Sequence, residues 1–219
     1  MESSDSAPFD YYGKTKQMEV VRMKKIPART IAVTAVMSAL AFVLMLLEFS
    51  VPFVPSFLKF DFSDLPAFVV SFAISPVAGV AVELFKNLLH LPFSATGGIG
   101  ELANFIIGAA YVLPAGVIYK YRKTRAGAVL ASVVGTLTAA VVSFPVNLYI
   151  TYPFYSNFMP MDAVVGMYAA IFPWVNTLVK ALLTVNLPFT ALKGAVSVVI
   201  TFVIYKPLSP VLKGTKNKK

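Results

Sequence analysis

The chain has 219 residues, 58% of them hydrophobic, carries a formal net charge of +9 and contains no cysteine. That apolarity excludes an ordinary soluble domain, and the missing thiols exclude disulfides and thiolate chemistry. The positive charge is gathered in three places beside long uncharged runs, a topology signal of a multi-pass membrane protein rather than the basic stripe of a nucleic-acid interface.

Residues 1–28 are polar, include Asp5, Asp10 and Tyr11, and lack the apolar core and cleavage site of a signal peptide, so a loosely ordered cytoplasmic tail is expected. Lys and Arg resist translocation. The basic residues before Thr30, those at 120–125 and those from Lys206 to the end are therefore assigned to the inner side. Glu48, Asp61, Asp64, Glu101 and Asp162 then mark the outer side. One membrane-embedded domain is expected over residues 29–207, followed by a basic cytoplasmic tail at 208–219.

Four runs are apolar and long enough to cross: residues 31–47, 102–119, 126–152 and 187–205, the last interrupted only by Lys193. Roughly 20 helical residues span a hydrocarbon core of about 30 Å. Residues 64–91 taken as one helix would deliver the basic 120–125 loop to the outer face, so parity requires two passes. Proline disfavours a helical residue before it and opens a helix at its own position, which places the break at Ser75-Pro76. Each arm then covers only about 20 Å and is expected to tilt or to pack inside the bundle. The fold class expected is an all-α membrane protein of six transmembrane helices with both termini cytoplasmic. Helices 2 and 3 form a short hairpin, and an aromatic-rich outer segment at 153–185 precedes helix 6. A helix over 162–183 is expected to lie along the membrane surface. Phe154, Tyr155, Phe158, Tyr168, Phe172 and Trp174 of that segment read as an interfacial belt or, as a group, a lid.

Ionisable groups inside a span cost several kcal/mol unless they are paired or line a watery cavity, so each is a functional candidate. Lys193, six residues beyond Leu187, sits about 9 Å below the outer end of the last helix by helical rise, and Asn147 sits about 8 Å below the end of the fifth. Two polar side chains on different helices thus reach one level and can share a ligand pocket. Alternatively, the lysine snorkels and the asparagine bonds a neighbouring helix. Glu101 and Asn104 share a face at the start of the fourth helix behind the Gly-rich segment 94–100, with a carboxylate at the positive dipole end as the structural alternative. Glu83 and Lys86 read as a self-neutralising ion pair and His90 as an interfacial residue. Asp64 fits an N-cap with Pro66 in the first turn, while Lys59 and Phe60 are candidates for the mouth of an outward pocket. Enzyme chemistry is poorly supplied, with a single histidine and no nucleophile–base, metal or phosphate-loop motif.

Four stretches carry a resemblance: Lys59-Phe60-Asp61-Phe62-Ser63-Asp64-Leu65-Pro66, Gly100-Glu101-Leu102-Ala103-Asn104-Phe105, Val112-Leu113-Pro114-Ala115-Gly116-Val117-Ile118-Tyr119-Lys120 and Leu192-Lys193-Gly194. Together they resemble the riboflavin-specific substrate-binding subunits of energy-coupling factor (ECF) transporters, and the likeness runs from about residue 31 to residue 205. The resemblance implies a multi-pass protein of a prokaryotic cell membrane. Such a subunit binds riboflavin as a transported ligand rather than a cofactor and docks onto a transmembrane coupling subunit (the T component) and two ABC-type ATPases. It further implies that Asn147, in Pro145-Val146-Asn147-Leu148-Tyr149, contacts the flavin ring. On the last helix the family has an asparagine and a lysine three residues apart, where this chain has Thr190 and Lys193. Ala35 and Ala39 match the small-residue surface that meets the coupling subunit, since small side chains four apart allow helices to approach closely. The alternatives are the same kind of subunit with another vitamin or a nucleobase-like ligand, an autonomous secondary transporter or channel built on Glu83 and Lys86, and last an intramembrane enzyme.

Overall fold

The computed structural model describes residues 26–213, with side chains described through residue 203. Most of the expected N-terminal tail, and residues 214–219 of the C-terminal one, lie outside the described residues. Helix α1 (Ala28–Leu46) leads through a two-stranded antiparallel ribbon, β1 (Phe49–Ser50) against β2 (Lys59–Phe60), into α2 (Asp64–Ala73) and α3 (Pro76–His90). Then come α4 (Ile99–Tyr121) and α5 (Arg125–Val146), which continues through a π turn (Asn147–Thr151) into α6 (Tyr152–Tyr155). After α7 (Met161–Ala169), a short α8 (Leu178–Ala181), a second π turn (Leu182–Asn186) and α9 (Leu187–Lys213) form one continuous final helix. The fold is thus mostly helical, and among the described residues four helices are long and apolar enough to cross a membrane: Ala28–Leu46, Ile99–Tyr121, Arg125–Tyr155 and Leu178–Val203.

The hairpin break falls at Ser75, whose backbone is extended and whose Oγ accepts a hydrogen bond from the Ala78 N–H at 3.1 Å, with Pro76 opening α3. A serine N-cap followed by proline at the first helical position satisfies one orphan amide and removes another. The arms are unequal, 10 residues in α2 and 15 in α3. Every residue of α2 from 65 to 71 is buried, whereas α3 turns Val77, Phe85, Leu88 and Leu89 outward. Enclosure in protein relieves α2 of the need to span hydrocarbon by itself.

Close approach in the hairpin depends on glycine. A Cβ on Gly79 would lie 2.6 Å from Ser71 Cβ and 2.9 Å from the Ala67 carbonyl oxygen, and one on Gly116 would strike Ser71 and Pro76. The Ser71 hydroxyl donates to the Val112 carbonyl at 2.8 Å, tying α2 to α4. Around this contact lies the inner core: Met37 and Ala41 of α1, Phe68 of α2, Val82 of α3, Tyr111 and Val112 of α4, and Ala131 of α5. Phe68 stacks on Tyr111 with ring centroids 4.8 Å apart, and Phe72 on Tyr119 at 4.3 Å. A second, separate core joins Tyr152, Val164, Tyr168, Val175, Leu182 and Val185, with Phe57 packed against it.

The outer segment departs from the expected surface helix over 162–183. Helix α7 stops at Ala169, and a turn at Phe172-Pro173, closed by the Val175 N–H to Phe172 carbonyl bond of 2.9 Å, separates it from the final helix. Proline at 173 cannot continue a helix entering from α7. The final helix accordingly starts at Leu178 rather than Leu187 and passes Pro188 without a break. Both π turns have the same cause. Pro153 and Pro188 each follow a π turn by two residues, so the carbonyl four residues before the ring lies within the widened turn. A proline ring clashes with that carbonyl in a regular α-helix, and one extra residue in the turn makes room.

Filling the α2–α3 contact should be costly. Gly79→Val is expected to lower stability by about 1–3 kcal/mol, the usual penalty of overpacking. A reduced apparent melting temperature of the detergent-solubilised protein checks this, with Val77→Ala on the exposed face of α3 as the near-neutral control.

Candidate functional site

Between the two cores lies a cavity of about 560 Å³, a size typical of small-molecule sites. Its wall draws on the segment after β1, on α2, on the α3–α4 loop and α4, and on the helices running through both π turns. Lys59, Glu101, Asn104, Asn147, Thr190 and Lys193 all lie along it. Phe60 does not. It is buried against Phe49, Phe62 and Phe189, closing an aromatic cluster behind the wall. Side chains that the sequence did not single out for the site complete the lining: Phe57, Phe93, Thr96, Tyr111, Thr151, Tyr152, Asn186 and Phe189.

Asp64 opens α2 but caps nothing. The N-cap position belongs to Ser63, which makes no side-chain capping bond. The Asp64 carboxylate instead pairs with Lys86 through one oxygen and lies 3.3 Å from Lys193 Nζ through the other. Lys86 also meets Glu83 Oε2 at 2.7 Å and donates to Ser63 Oγ at 2.9 Å. Lys193 lies 2.9 Å from Asp61 Oδ2, while Asp61 Oδ1 accepts the Ser63 N–H at 2.7 Å. The expected Glu83–Lys86 pair is thus one end of a network of three carboxylates and two ammonium groups that joins α2, α3 and α9. A buried ion is tolerated only when paired and hydrogen-bonded, which explains why a cap-like aspartate turned inward. An ammonium has three donors, so with two carboxylates on Lys193 one N–H remains for the cavity.

His90 is buried and paired with a residue of the next helix. Its Nδ1 lies 2.9 Å from Glu101 Oε1, and Glu101 Oε2 accepts from Ser94 Oγ at 2.7 Å and from Thr96 Oγ1 at 3.4 Å. Ser94 Oγ also accepts the Gly98 N–H at 2.9 Å, and Thr96 Oγ1 the Gly100 N–H at 2.9 Å. Gly97 and Gly98, at φ +62° and +88°, occupy the left-handed region where a Cβ is strained, and they allow the loop to fold back onto Glu101. Glu101 therefore both lines the cavity and anchors the loop that closes one side of it.

On the opposite wall the Asn147 amide N–H donates to the Ser143 carbonyl at 2.8 Å, which leaves its Oδ1 as an acceptor on the cavity side. The Thr190 hydroxyl is engaged with the Asn186 carbonyl at 3.0 Å. One turn earlier Asn186 accepts from Tyr168 at 2.6 Å and donates to the Tyr152 hydroxyl at 3.1 Å, a buried triad that fastens α7 across both π turns. Burial pushes the Tyr168 phenol well above the ordinary tyrosine range, so it serves as a fixed donor. Among the described residues, no three His, Asp or Glu side chains are placed to hold a metal ion. The cavity offers a neutral acceptor, one ammonium N–H and several aromatic faces, a set suited to a planar polar ring. On α1, Ala35 and Ala39 point outward, away from the core that Thr34, Met37 and Ser38 enter.

Lys86 should be indispensable to this architecture. Lys86→Met leaves Glu83 and Asp64 facing each other without their shared cation and is expected to cost about 3–5 kcal/mol. Adding Glu83→Gln should recover part of that loss. Thermal unfolding of the two variants beside the unsubstituted chain gives the comparison.

The family model for the ECF transporter, substrate-specific component, matches residues 29–205 of this chain. The chain is 32% identical over 179 residues to riboflavin transporter RibU of Staphylococcus aureus (strain TCH60), covering 82% of this chain and 89% of that protein. It is 31% identical over 185 residues to riboflavin transporter FmnP of Bacillus subtilis (strain 168), covering 83% and 93%. A solved structure described as the S component of a bacterial ECF transporter superposes with a TM-score of 0.67 at 31% identity, over 85% of this chain and 98% of that one.

Proposed function

Since the chain belongs to the family of substrate-specific components of ECF transporters, we propose that it is the riboflavin-binding membrane subunit of a vitamin importer. It takes riboflavin from outside the cell and delivers it by docking onto a transmembrane coupling subunit and two ATPases. The observation that carries this reading is the cavity itself. It lies in the half of the bundle away from the basic 120–125 loop, with Asn147 and Lys193 on facing helices and aromatic rings between. The flavin ring presents carbonyls and an imide N–H to amide and ammonium partners and a flat face to Phe57, Tyr155 or Phe189. Relatives with 31–32% identity are called riboflavin transporters, which supports the choice among vitamins. Transport chemistry needs no reacting group, and the buried ammonium of Lys193 on the cavity wall is held by the carboxylates of Asp61 and Asp64.

Six passes with both ends in the cytoplasm complete the topology. The four long helices supply four crossings, and α2 and α3, divided at Ser75, supply a short return pair. This arrangement keeps the basic loop at 120–125 and the basic C-terminal end on one side of a prokaryotic cell membrane. Lys59, Glu101, Asn104, Asn147, Thr190 and Lys193 are the proposed ligand contacts, with Phe60 supporting them from behind the wall.

Asn147→Ala should weaken riboflavin binding by about 1–3 kcal/mol, the cost of removing a polar partner, while the protein remains folded because the Ser143 carbonyl stays within its helix. Titration of flavin fluorescence quenching by the purified protein measures the loss. Unchanged affinity would remove Asn147 from the site.

Docking is assigned to the exposed face of α1. Replacing both Ala35 and Ala39 by tryptophan should block close helix approach and abolish uptake of labelled riboflavin in cells expressing the whole transporter. Affinity of the isolated subunit should stay as it was. Full uptake at normal surface expression would refute the docking face.

A further inference from the structure

A second cavity of about 430 Å³ adjoins the first on its outer side. The two share Phe57, Ala95, Thr96 and Tyr155, so this wall is a partition with space on both faces. The outer chamber is otherwise lined by Gly97, Phe158, Met159 and Val164, which makes it mainly apolar. It has no counterpart to the ion network or to the amide acceptor of the inner cavity.

Ala95 and Thr96 of the partition belong to the 94–98 loop, which is fastened by polar bonds. Ser94 Oγ donates to Glu101 Oε2 at 2.7 Å and accepts from the amides of Thr96 at 3.2 Å and Gly98 at 2.9 Å. Ala95, between these anchors, is exposed, and the left-handed glycines follow immediately. A Cβ on Gly97 would meet only Phe154, at an ordinary contact distance of 3.6 Å. The loop is held by the bonds of Ser94 and Thr96 to Glu101 and to its own amides, with Leu91 and Phe154 packed against its two glycines.

Resting on the reading of the inner cavity as a riboflavin site, we propose that the outer cavity is an entry vestibule. There the planar flavin first lodges among Phe57, Tyr155 and Phe158, and the 94–98 loop, latched on Glu101, separates it from the inner site. The occupant is the same ligand in transit, because the vestibule is continuous with the site through a shared wall and offers mainly stacking surfaces, its polar side chains being the Thr96 and Tyr155 hydroxyls of that wall. A flat ring gains from aromatic contact before any hydrogen bond is made.

A chamber on the path leaves a kinetic signature distinct from that of the site. Obstructing it slows entry and exit by the same factor and leaves the equilibrium constant unchanged, whereas a lost site contact appears mainly in the dissociation rate. The test is stopped-flow quenching of riboflavin fluorescence by the purified full chain. Met159→Trp, which fills the vestibule, should reduce association and dissociation rate constants together by about tenfold, with Kd within about twofold of the unsubstituted protein. Ser94→Ala, which releases the latch, should raise both rate constants. Wild-type rates in both variants, or a weaker Kd for Met159→Trp with unchanged association, overturn the vestibule and leave the riboflavin site standing. Absence of quenching by the unsubstituted chain overturns the riboflavin reading and the vestibule with it.

Discussion

The ion network of this bundle is arranged around the cost of carrying charge through an apolar interior. Lys86, fully buried, is the centre of that arrangement: it is held by Asp64 and Glu83 and hydrogen-bonded to Ser63. Because Asp64 also reaches Lys193, the ion that α3 needs for its own neutrality fixes the start of α2 and the second turn of α9 at one level. Coulomb attraction in such surroundings is strong, but it offsets desolvation only when the geometry is complete. Helix positions are thereby determined by charge pairing in a medium where apolar surfaces have little reason to choose one another. The cavity inherits that determination, since Lys193 belongs to both.

The two π turns serve the site in another way. Asn147 and Thr151 begin and end the first, Asn186 ends the second, and Thr190 lies one turn beyond it. All four line the cavity. A widened turn frees backbone groups and shifts the register of side chains that follow it, which brings polar residues of two long helices to face each other without interrupting either helix. Prolines 153 and 188, which in a soluble helix would mark ends, are here accommodated by these turns.

Much of this was legible in the sequence because the membrane simplifies the problem. Charge distribution and run length gave the four long helices, and Ser75-Pro76 gave the hairpin break through backbone sterics alone. Asn147, Lys193, Glu101 and Asn104 stood out as polar residues in apolar runs. Other features required three-dimensional information. Asp64 has both the residue type and the position of an N-cap, and only its contact with Lys86 and Lys193 shows that it turns inward. His90 was ambiguous for the same reason, its partner Glu101 being on the next helix. Phe60 occupies one register of a short strand, and a pleat sends alternate residues to opposite faces, so its orientation depended on a β ribbon that two-residue strands do not announce. The start of the final helix was placed late because Pro188 hid a continuous helix, although its spacing after polar Asn186 repeats that of Pro153 after Thr151.

The division of the hydrophobic interior into two cores has a consequence for how the molecule can come apart. Tyr168, Val175 and Leu182 are buried in a cluster that shares no buried residue with the one built on Phe68, Val82 and Val112. The cavity lies between them, so the outer cluster is held to the inner one mainly through the two long helices that run past both. Segments with few contacts to the rest open at lower free energy than the whole. Backbone amides of α7 should therefore exchange with solvent as a group, by an opening that leaves the α2–α3–α4 contact closed.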